Sequence, residues 1–334
     1  MRGAGEYSER RRGRPTRRRA IALQCMRMTQ RAPPFRLALL APRQWPAWIG
    51  VGLIWLVARL PYKVLLPIGR FAGWLAARLF GPDRRNTVRR NLELCFPELS
   101  DAERARMLEE NLRDMGILLI EFALAWMGSP RGLAKIPVTI EGMEHMEAAH
   151  AAKRGVLVVG AHFSHTELCA RFVSQRLRFA GMYRAHENAA FEWAIRRARL
   201  RYSTTMFTKE ELRQIVRSLK GGGAIWYAPD QDMRGKDFVF APFFGVPAAT
   251  ITATHYLARL SGAVVIPFFH RRLEGGGYAI RLEPPLPDFP SEDAVADTTR
   301  INSCIERMVR EAPTQYLWMH KRFKTRPPGE AGVY

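Results

Sequence analysis

Cysteine is scarce in this chain, and the few cysteines lie far apart. The 334 residues include four of them, Cys25, Cys95, Cys169 and Cys304, and no two form a C-x-x-C pair. This spacing argues against a disulfide framework and a zinc ribbon, and it is typical of a protein in a reducing compartment. Internal repeats and long heptad runs are also missing, which excludes repeat architectures and extended coiled coils.

Acidic residues are outnumbered by basic ones. Lys and Arg total 52 against 31 Asp and Glu, a net charge of +21 at pH 7. Residues 1–27 hold nine Arg and two Glu, and we interpret them as an Arg-rich tail that is either disordered or upstream of a true start at Met28. The rest is still basic, which suits an acidic partner: nucleic acid, an anionic membrane, a phosphorylated substrate or an acidic carrier protein.

No apolar run reaches the roughly 20 residues that a spanning helix usually needs. The longest lies between Arg43 and Arg59, and apolar character then resumes as far as Leu79. Its tryptophans and the flanking arginines resemble interfacial anchors. We therefore predict that residues 28–80 form a membrane anchor region with an N-terminal hydrophobic anchoring helix. The alternative is a buried helical pair within the globular domain.

Residues 81–334 alternate strand and helix patterns, which predicts a single α/β domain with helices covering its sheet. Short apolar runs predict strands at 156–159, 224–228, 263–266 and 278–282. Amphipathic patterns predict helices from Ser100 to about Trp126, from Thr208 to Gly221, and from Ala294 to Arg310. Ser100 with Glu103, and Thr208 with Glu211, form S/T-x-x-E capping boxes, and Ser164 is a candidate cap for another helix.

His162 follows the apolar strand at 156–159, at the strand end where catalytic groups of α/β sheets collect. A neutral imidazole, with a pKa near ~6.5, is well suited to take a proton from an alcohol near pH 7. Glu167, five positions later, could orient it. Two other interpretations remain at this point. Glu167 could only close a capping box with Ser164, or His162, His165 and Glu167 could bind a metal, for which H-x-x-H is weak support.

Two further places carry candidate site residues. Asp230 follows a predicted strand and a proline, so it lies at another carboxyl edge of the sheet or is an ordinary turn aspartate. The basic run 196–201, which includes Arg199, lies in sequence between the two strand ends. Such a run is more often a solvated helical face than a binding site.

Ordered blocks along most of the chain resemble one known family. The pattern H-x4-D/E, the hallmark of the lysophospholipid and glycerolipid acyltransferase group, is present as His162 through Glu167. Other blocks lie at 39–45, 90–98, 142–145, 226–230, 240–252, 315–318 and 322–327. Together they resemble the late acyltransferases of lipid A biosynthesis, most closely the lauroyl type. Within the motif, Ser164 and His165 replace a more apolar pair, and the Arg-rich tail has no family counterpart.

The resemblance implies a central mixed, largely parallel β-sheet flanked by helices. It implies transfer of a fatty acyl chain of lauroyl to myristoyl size from acyl carrier protein to a hydroxyacyl chain of a Kdo-bearing lipid A precursor. His162 would be the general base and Glu167 its orienting partner, while Arg199 and Asp230 would hold substrate groups. No metal, cofactor or nucleic acid is expected.

The same resemblance implies the inner membrane as location. Because the carrier protein is cytosolic, the catalytic domain is expected to face the cytoplasm and to contact membrane lipids. The alternatives are an acyltransferase acting on a glycerolipid or a glycosylated lipid, and a non-enzymatic basic protein that binds a membrane surface or nucleic acid.

Overall fold

A seven-stranded sheet forms the centre of the computed structural model, which describes residues 30, 32–79, 82–232 and 237–334. The Arg-rich tail predicted for residues 1–27 lies outside them. The strands are β1 (Val138–Glu141), β2 (Val156–Val159), β3 (Ala180–Met182), β4 (Met206–Phe207), β5 (Ala224–Tyr227), β6 (Phe238–Phe243), β7 (Val246–Ile251), β8 (Val264–Arg272) and β9 (Tyr278–Leu282). The sheet has the order β1-β9-β8-β2-β5-β3-β4, and β6 with β7 forms a separate hairpin.

The sheet is mixed but mostly parallel. Five neighbouring strands from β8 to β4 run parallel, and β9 pairs antiparallel with β8 while β1 runs parallel to β9. All four residues of β2 are buried, as expected for a strand covered on both faces. The predicted α/β class and the largely parallel sheet are therefore confirmed.

Helices cover both faces of the sheet. They are α1 (Trp45–Val57), α2 (Tyr62–Leu79), α3 (Pro82–Cys95), α4 (Asp101–Met127), α5 (Pro130–Leu133), α6 (Met143–Ala151), α7 (Thr166–Val173), α8 (Ala189–Arg199), α9 (Leu212–Lys220), α10 (Ala253–Ser261) and α11 (Ala294–Glu311), with short 3-10 turns at Leu37–Leu40, Pro42–Gln44, Lys209–Glu211 and Pro313–Gln315. The predicted helices over 100–126, 208–221 and 294–310 agree with α4, with the Lys209–Glu211 turn plus α9, and with α11.

Two of the three predicted caps are confirmed. The Ser100–Glu103 box is complete at the start of α4, and the Thr208–Glu211 box opens the turn before α9. The cap predicted at Ser164 is wrong. Helix α7 begins at Thr166, and Ser164 is buried with its Oγ 3.4 Å from Nη1 of Arg272.

The N-terminal apolar region folds into two helices where a single anchor was predicted. Helix α1 has 13 residues and ends before Arg59 and Pro61, where the charge and the missing proline N–H favour a break. Among the described residues, no helix is by itself long and apolar enough to cross a membrane. Only the pair Tyr62–Leu79 and Asp83–Cys95, bent by 104° across residues outside the description, meets that test together. The prediction of one anchoring helix is therefore corrected.

The hairpin of β6 and β7 was not predicted from the sequence. Phe244 and Gly245 connect its strands with φ values of 53° and 74°. Arg322, which is 2% exposed, donates to the carbonyl of Ala249 at 2.6 Å and to Thr250 Oγ1 at 2.6 Å. These bonds fasten the C-terminal part of the chain to the hairpin.

The segment from Pro313 to Phe323, called here the closing segment, runs along the end of β2. The N–H of Leu317 donates to the carbonyl of His162 at 2.9 Å, and the N–H of Ser164 donates to the carbonyl of Gln315 at 3.0 Å. The buried amide of Asn111 donates to two carbonyls of this segment, at 2.7 and 2.8 Å. The closing segment therefore holds the turn that carries His162, with one bond on each side of Phe163.

Candidate active site

Strand register brings His162 and Asp230 together. Strands β2 and β5 are parallel neighbours, and Val159 is the register partner of Tyr227. His162 and Asp230 each follow these paired residues by three positions, so both lie at the same carboxyl edge of the sheet. Gly160 allows a close approach here, because a Cβ at this position would lie 3.0 Å from Nε1 of Trp226.

His162 and Asp230 make two hydrogen bonds. Nδ1 of the ring lies 2.6 Å from Oδ1 of Asp230, and the backbone N–H of His162 donates to Oδ2 at 2.9 Å. An ionised carboxylate only accepts, so Nδ1 carries the proton and Nε2 is left with a free lone pair. The His162 side chain is 33% exposed, whereas that of Asp230 is 1% exposed. A buried carboxylate therefore fixes the tautomer of a reachable imidazole.

The two groups shift each other's pKa. Burial alone would raise the pKa of Asp230, but the charge of His162 and hydrogen bonds from His162 and Tyr316 lower it to about 2. Burial lowers the pKa of His162, and the charge and hydrogen bond of Asp230 outweigh this, so its pKa is raised above the usual value. Asp230 is therefore ionised at neutral pH, and it strengthens the basicity of His162.

Glu167 has a different partner from the one predicted. It lies in the first turn of α7, and its carboxylate accepts from Nε and Nη2 of Arg199 at 2.7 and 2.8 Å and from the hydroxyl of Tyr202. Among the described residues, no hydrogen bond joins it to His162. The expected Glu167–His162 contact is therefore corrected: Asp230 makes that contact, and Glu167 binds Arg199.

The Glu167–Arg199 pair is largely buried, with side chains 17% and 13% exposed. Burial raises the pKa of Glu167, and the Arg199 charge with hydrogen bonds from Arg199 and Tyr202 outweighs it, so the carboxyl stays ionised. The two parallel N–H···O bonds fix the plane of the guanidinium. Arg199 is the last residue of α8 and belongs to the basic run 196–201, for which a solvated helical face was the alternative interpretation. Its side chain is instead largely buried against Glu167.

A cavity of about 430 Å³ opens beside both pairs. Apolar side chains form most of its wall, and a smaller number of polar side chains complete it. The lining includes Leu118, Phe122, His162, Phe163, Thr166, Glu167, Ala170, Phe179, Met182, Tyr183, Arg199, Tyr202, Met206, Trp226 and Leu317. A mostly apolar cavity with few polar groups suits a hydrophobic ligand with one reacting end.

The sequence interpretation missed three residues of the site. They come from separate loops and strands: Tyr202 donates to Glu167, and Tyr316 makes a hydrogen bond to Asp230. The third is Trp226, whose ring centroid lies 6.3 Å from that of His162. Trp226 belongs to a predicted strand, and its place two residues from the end was a usable signal. Tyr202 and Tyr316 carried no local signal.

A sheet-edge histidine that can act as a base, within an H-x4-E motif and beside an apolar cavity, is the arrangement expected of the acyltransferase class that the sequence resembles. Residues 32–325 match the family model for the bacterial lipid A biosynthesis acyltransferases, and the chain belongs to this family. It is therefore an acyltransferase of lipid A biosynthesis.

Individual relatives align with this chain along nearly their whole length. The lipid A biosynthesis lauroyltransferase of Escherichia coli is 42% identical over 304 residues, which cover 90% of this chain and 99% of that protein. The palmitoleoyltransferase of the same organism is 40% identical, covering 90% and 98%. Its myristoyltransferase is 29% identical, covering 90% and 94%.

Proposed function

We propose that this protein transfers a lauroyl-type acyl chain from acyl carrier protein to a hydroxyl of a hydroxyacyl chain on a Kdo-bearing lipid A precursor. The observation that carries the proposal is the His162–Asp230 pair at the wall of an apolar cavity. The pair supplies a base for the hydroxyl, and the cavity supplies a site for an acyl chain.

In the proposed reaction, Nε2 of His162 takes the proton of the acceptor hydroxyl as its oxygen attacks the thioester carbonyl. The tetrahedral intermediate then collapses, the C–S bond breaks, and the proton passes from His162 to the leaving thiolate of the carrier. The products are an ester and the free carrier thiol. Asp230 stabilises the imidazolium that forms between the two proton transfers.

Glu167 takes the role of a positioning residue for Arg199 in this proposal. Its carboxylate binds Nε and Nη2 of the guanidinium, and Nη1 is not used in that pairing. Arg199 can therefore donate to an oxygen of the substrate while its plane stays fixed. Such a donor suits the oxyanion of the intermediate or a phosphate of the precursor.

The acyl donor and the membrane location are proposed from the net charge of the chain and from its exposed apolar side chains. The net charge of +21 favours an acidic carrier protein, a phosphorylated precursor and an anionic membrane. Large apolar side chains of α1 and α2 are exposed, including Trp45, Ile49, Leu53, Phe71 and Leu79. We propose that this face contacts the inner membrane with the catalytic domain on the cytoplasmic side, where the carrier protein is found.

Replacement of the base tests the mechanism. We expect His162→Ala to lower the rate of acyl transfer by about 10²–10⁴-fold, because that is the typical contribution of a general base. The assay is mass spectrometry of the product formed by purified protein from acyl carrier protein thioesters and the Kdo-bearing precursor. Thermal unfolding of the variant serves as the control for folding. A folded His162→Ala protein with the wild-type rate would refute the mechanism.

The same assay tests the substrates. A series of thioesters of increasing chain length is expected to give the highest rate with the lauroyl or myristoyl donor. Glycerolipid and glycosylated lipid acceptors are supplied in parallel reactions. Transfer to either of these, with none to the lipid A precursor, would replace the proposed acceptor while leaving the base intact.

A further inference from the structure

A buried group of His165, Cys169 and His270 lies beneath the turn that carries His162. His165 directly precedes α7, Cys169 lies one turn along it, and His270 belongs to β8. The side chains have no solvent exposure, and one nitrogen from each ring and the sulfur lie within 4.8 Å of one another. This group is separate from the base, whose ring is held by Asp230.

The nitrogens of the two histidine rings lack hydrogen-bond partners among the described residues. Nδ1 and Nε2 of both His165 and His270 are buried without a hydrogen-bond partner. The ring centroids are 4.7 Å apart with their planes perpendicular. In a neutral imidazole one nitrogen carries a proton and the other a lone pair, so the two rings place two unpaired lone pairs close together. Because an unpaired buried polar group is costly, these lone pairs call for a ligand that binds them.

The surroundings of the two rings suit nitrogen and sulfur ligands. Aromatic side chains of Phe163, Phe268 and Tyr278 surround them. The three side chains are buried, so bulk water does not compete with the nitrogen and sulfur ligands.

Arg272 is a cation near this group, and it is paired with two buried carboxylates. It donates to Oε1 of Glu121 at 2.7 Å, and its Nη2 lies 2.9 Å from Oδ1 of Asp114. Nη1 of Arg70 lies 3.0 Å from the same oxygen of Asp114, so two guanidinium groups face the two carboxylates. The carboxylates offset the repulsion between Arg272 and a bound cation.

We propose that His165, Cys169 and His270 bind one Zn²⁺ ion. Two imidazole nitrogens and a thiolate are a donor set that zinc prefers, and three protein ligands leave a fourth position for a water molecule. Binding converts the Cys169 thiol to a thiolate and releases its proton to solvent. Since His165 and Cys169 flank Glu167 and His270 belongs to the sheet, the ion would fasten the helix of Glu167 to β8.

This set differs from the metal ligands considered from the sequence. His162, His165 and Glu167 share a motif, but two of them are committed elsewhere, to Asp230 and to Arg199. Only His165 belongs to the proposed set. Its partners come from positions four residues and about one hundred residues further along the chain, which no short motif joins.

Metal analysis of the purified full chain, produced with added zinc, tests the proposal. We expect about one zinc per chain in the wild type and in Cys304→Ala, another buried cysteine outside the group. Cys169→Ala and His270→Phe are expected to lose it, whereas His162→Ala is expected to keep it. Wild-type protein without stoichiometric zinc, or zinc unchanged in Cys169→Ala, would overturn the proposal.

A second measurement works on the wild type alone, so it does not depend on the folding of a variant. Protein loaded with Co²⁺ is expected to show the near-ultraviolet charge-transfer band of a thiolate–cobalt bond. Addition of a strong chelator is expected to remove the band and to lower the melting temperature. Absence of the band from Co²⁺-treated wild type would count against Cys169 as a ligand. Neither readout depends on acyl transfer.

Discussion

At the scale of single residues, the geometry of the site is set by two pairs: Asp230 binds His162, and Glu167 binds Arg199. The sequence placed His162, Glu167, Arg199 and Asp230 among the candidates, but it paired His162 with the wrong carboxylate. Proximity along the chain favoured Glu167, whereas the parallel register of β2 and β5 puts Asp230 on the ring. A sequence pattern can place residues at a sheet edge, but it does not set the direction of side chains from different loops.

The pH dependence of catalysis separates the two carboxylates. Asp230 raises the pKa of His162, and burial lowers it. In Asp230→Asn the raising contribution is lost, so the acid limb of kcat/KM should move to lower pH, and the rate above the limb should fall about 100-fold. The measurement is kcat/KM for acyl transfer between pH 4 and 9.

Glu167→Gln is the matched variant. It removes one charge of the Glu167–Arg199 pair, so we expect a loss of about 3 kcal/mol in the free energy of unfolding, because the other charge is left uncompensated. The acid limb should stay where it is in the wild type. If the acid limb of the kcat/KM profile moved in Glu167→Gln and did not move in Asp230→Asn, Glu167 and not Asp230 would be the residue that orients His162.

At the scale of elements, the crossing of α2 and α4 depends on glycine. A Cβ at Gly116 would lie 2.1 Å from the carbonyl oxygen of Gly69 and 2.3 Å from the nitrogen of Gly73. These are backbone atoms of the opposite helix, so they cannot turn aside as a side chain can. The apolar pattern of residues 62–79 suggested a membrane helix and did not reveal this contact, because small residues carry no strong periodic signal.

Gly116→Ala should therefore force the two helices apart. We expect a loss of about 3 kcal/mol, at the upper end of the usual cost of overpacking. Gly52→Ala is the control, since no atom lies within 4 Å of a Cβ there, and alanine should stabilise the exposed helix by about 0.5–1 kcal/mol. Urea unfolding of both variants measures these differences. Equal stability of Gly116→Ala and wild type would show that the crossing is looser than described.

At the scale of the whole molecule, composition suggests acidic partners but does not determine the shape of the N-terminal region. The basic charge and the apolar N-terminal region pointed to an anionic membrane, while the division into two helices depends on Arg59 and Pro61 at their junction. Both helices lie against the domain and leave a wide apolar face outside. The sequence could not show this because the same apolar residues suit a span, a buried pair or a surface.

Binding to vesicles tests that face. The double variant Ile49→Asp with Leu53→Asp replaces side chains that are 65% and 57% exposed. Each loses about 1.5–3 kcal/mol of apolar burial, so we expect binding to anionic vesicles to weaken about 100-fold or more. Leu212→Asp, at a side chain 51% exposed on α9, is the control and should bind like the wild type. Co-sedimentation measures the bound fraction, and equal binding of all three proteins would exclude the face as the contact.

The closing segment has a consequence for how the protein is made. It lies in the last tenth of the chain, yet it binds the backbone of His162 and Ser164. During synthesis, His162, Glu167, Arg199 and Asp230 all leave the ribosome before it does. The nascent chain thus carries these four residues before the segment that holds the His162 turn has been made. We therefore expect acyl transfer to begin only near the end of translation, and a premature stop before Pro313 to give a protein that contains all four proposed site residues and is inactive.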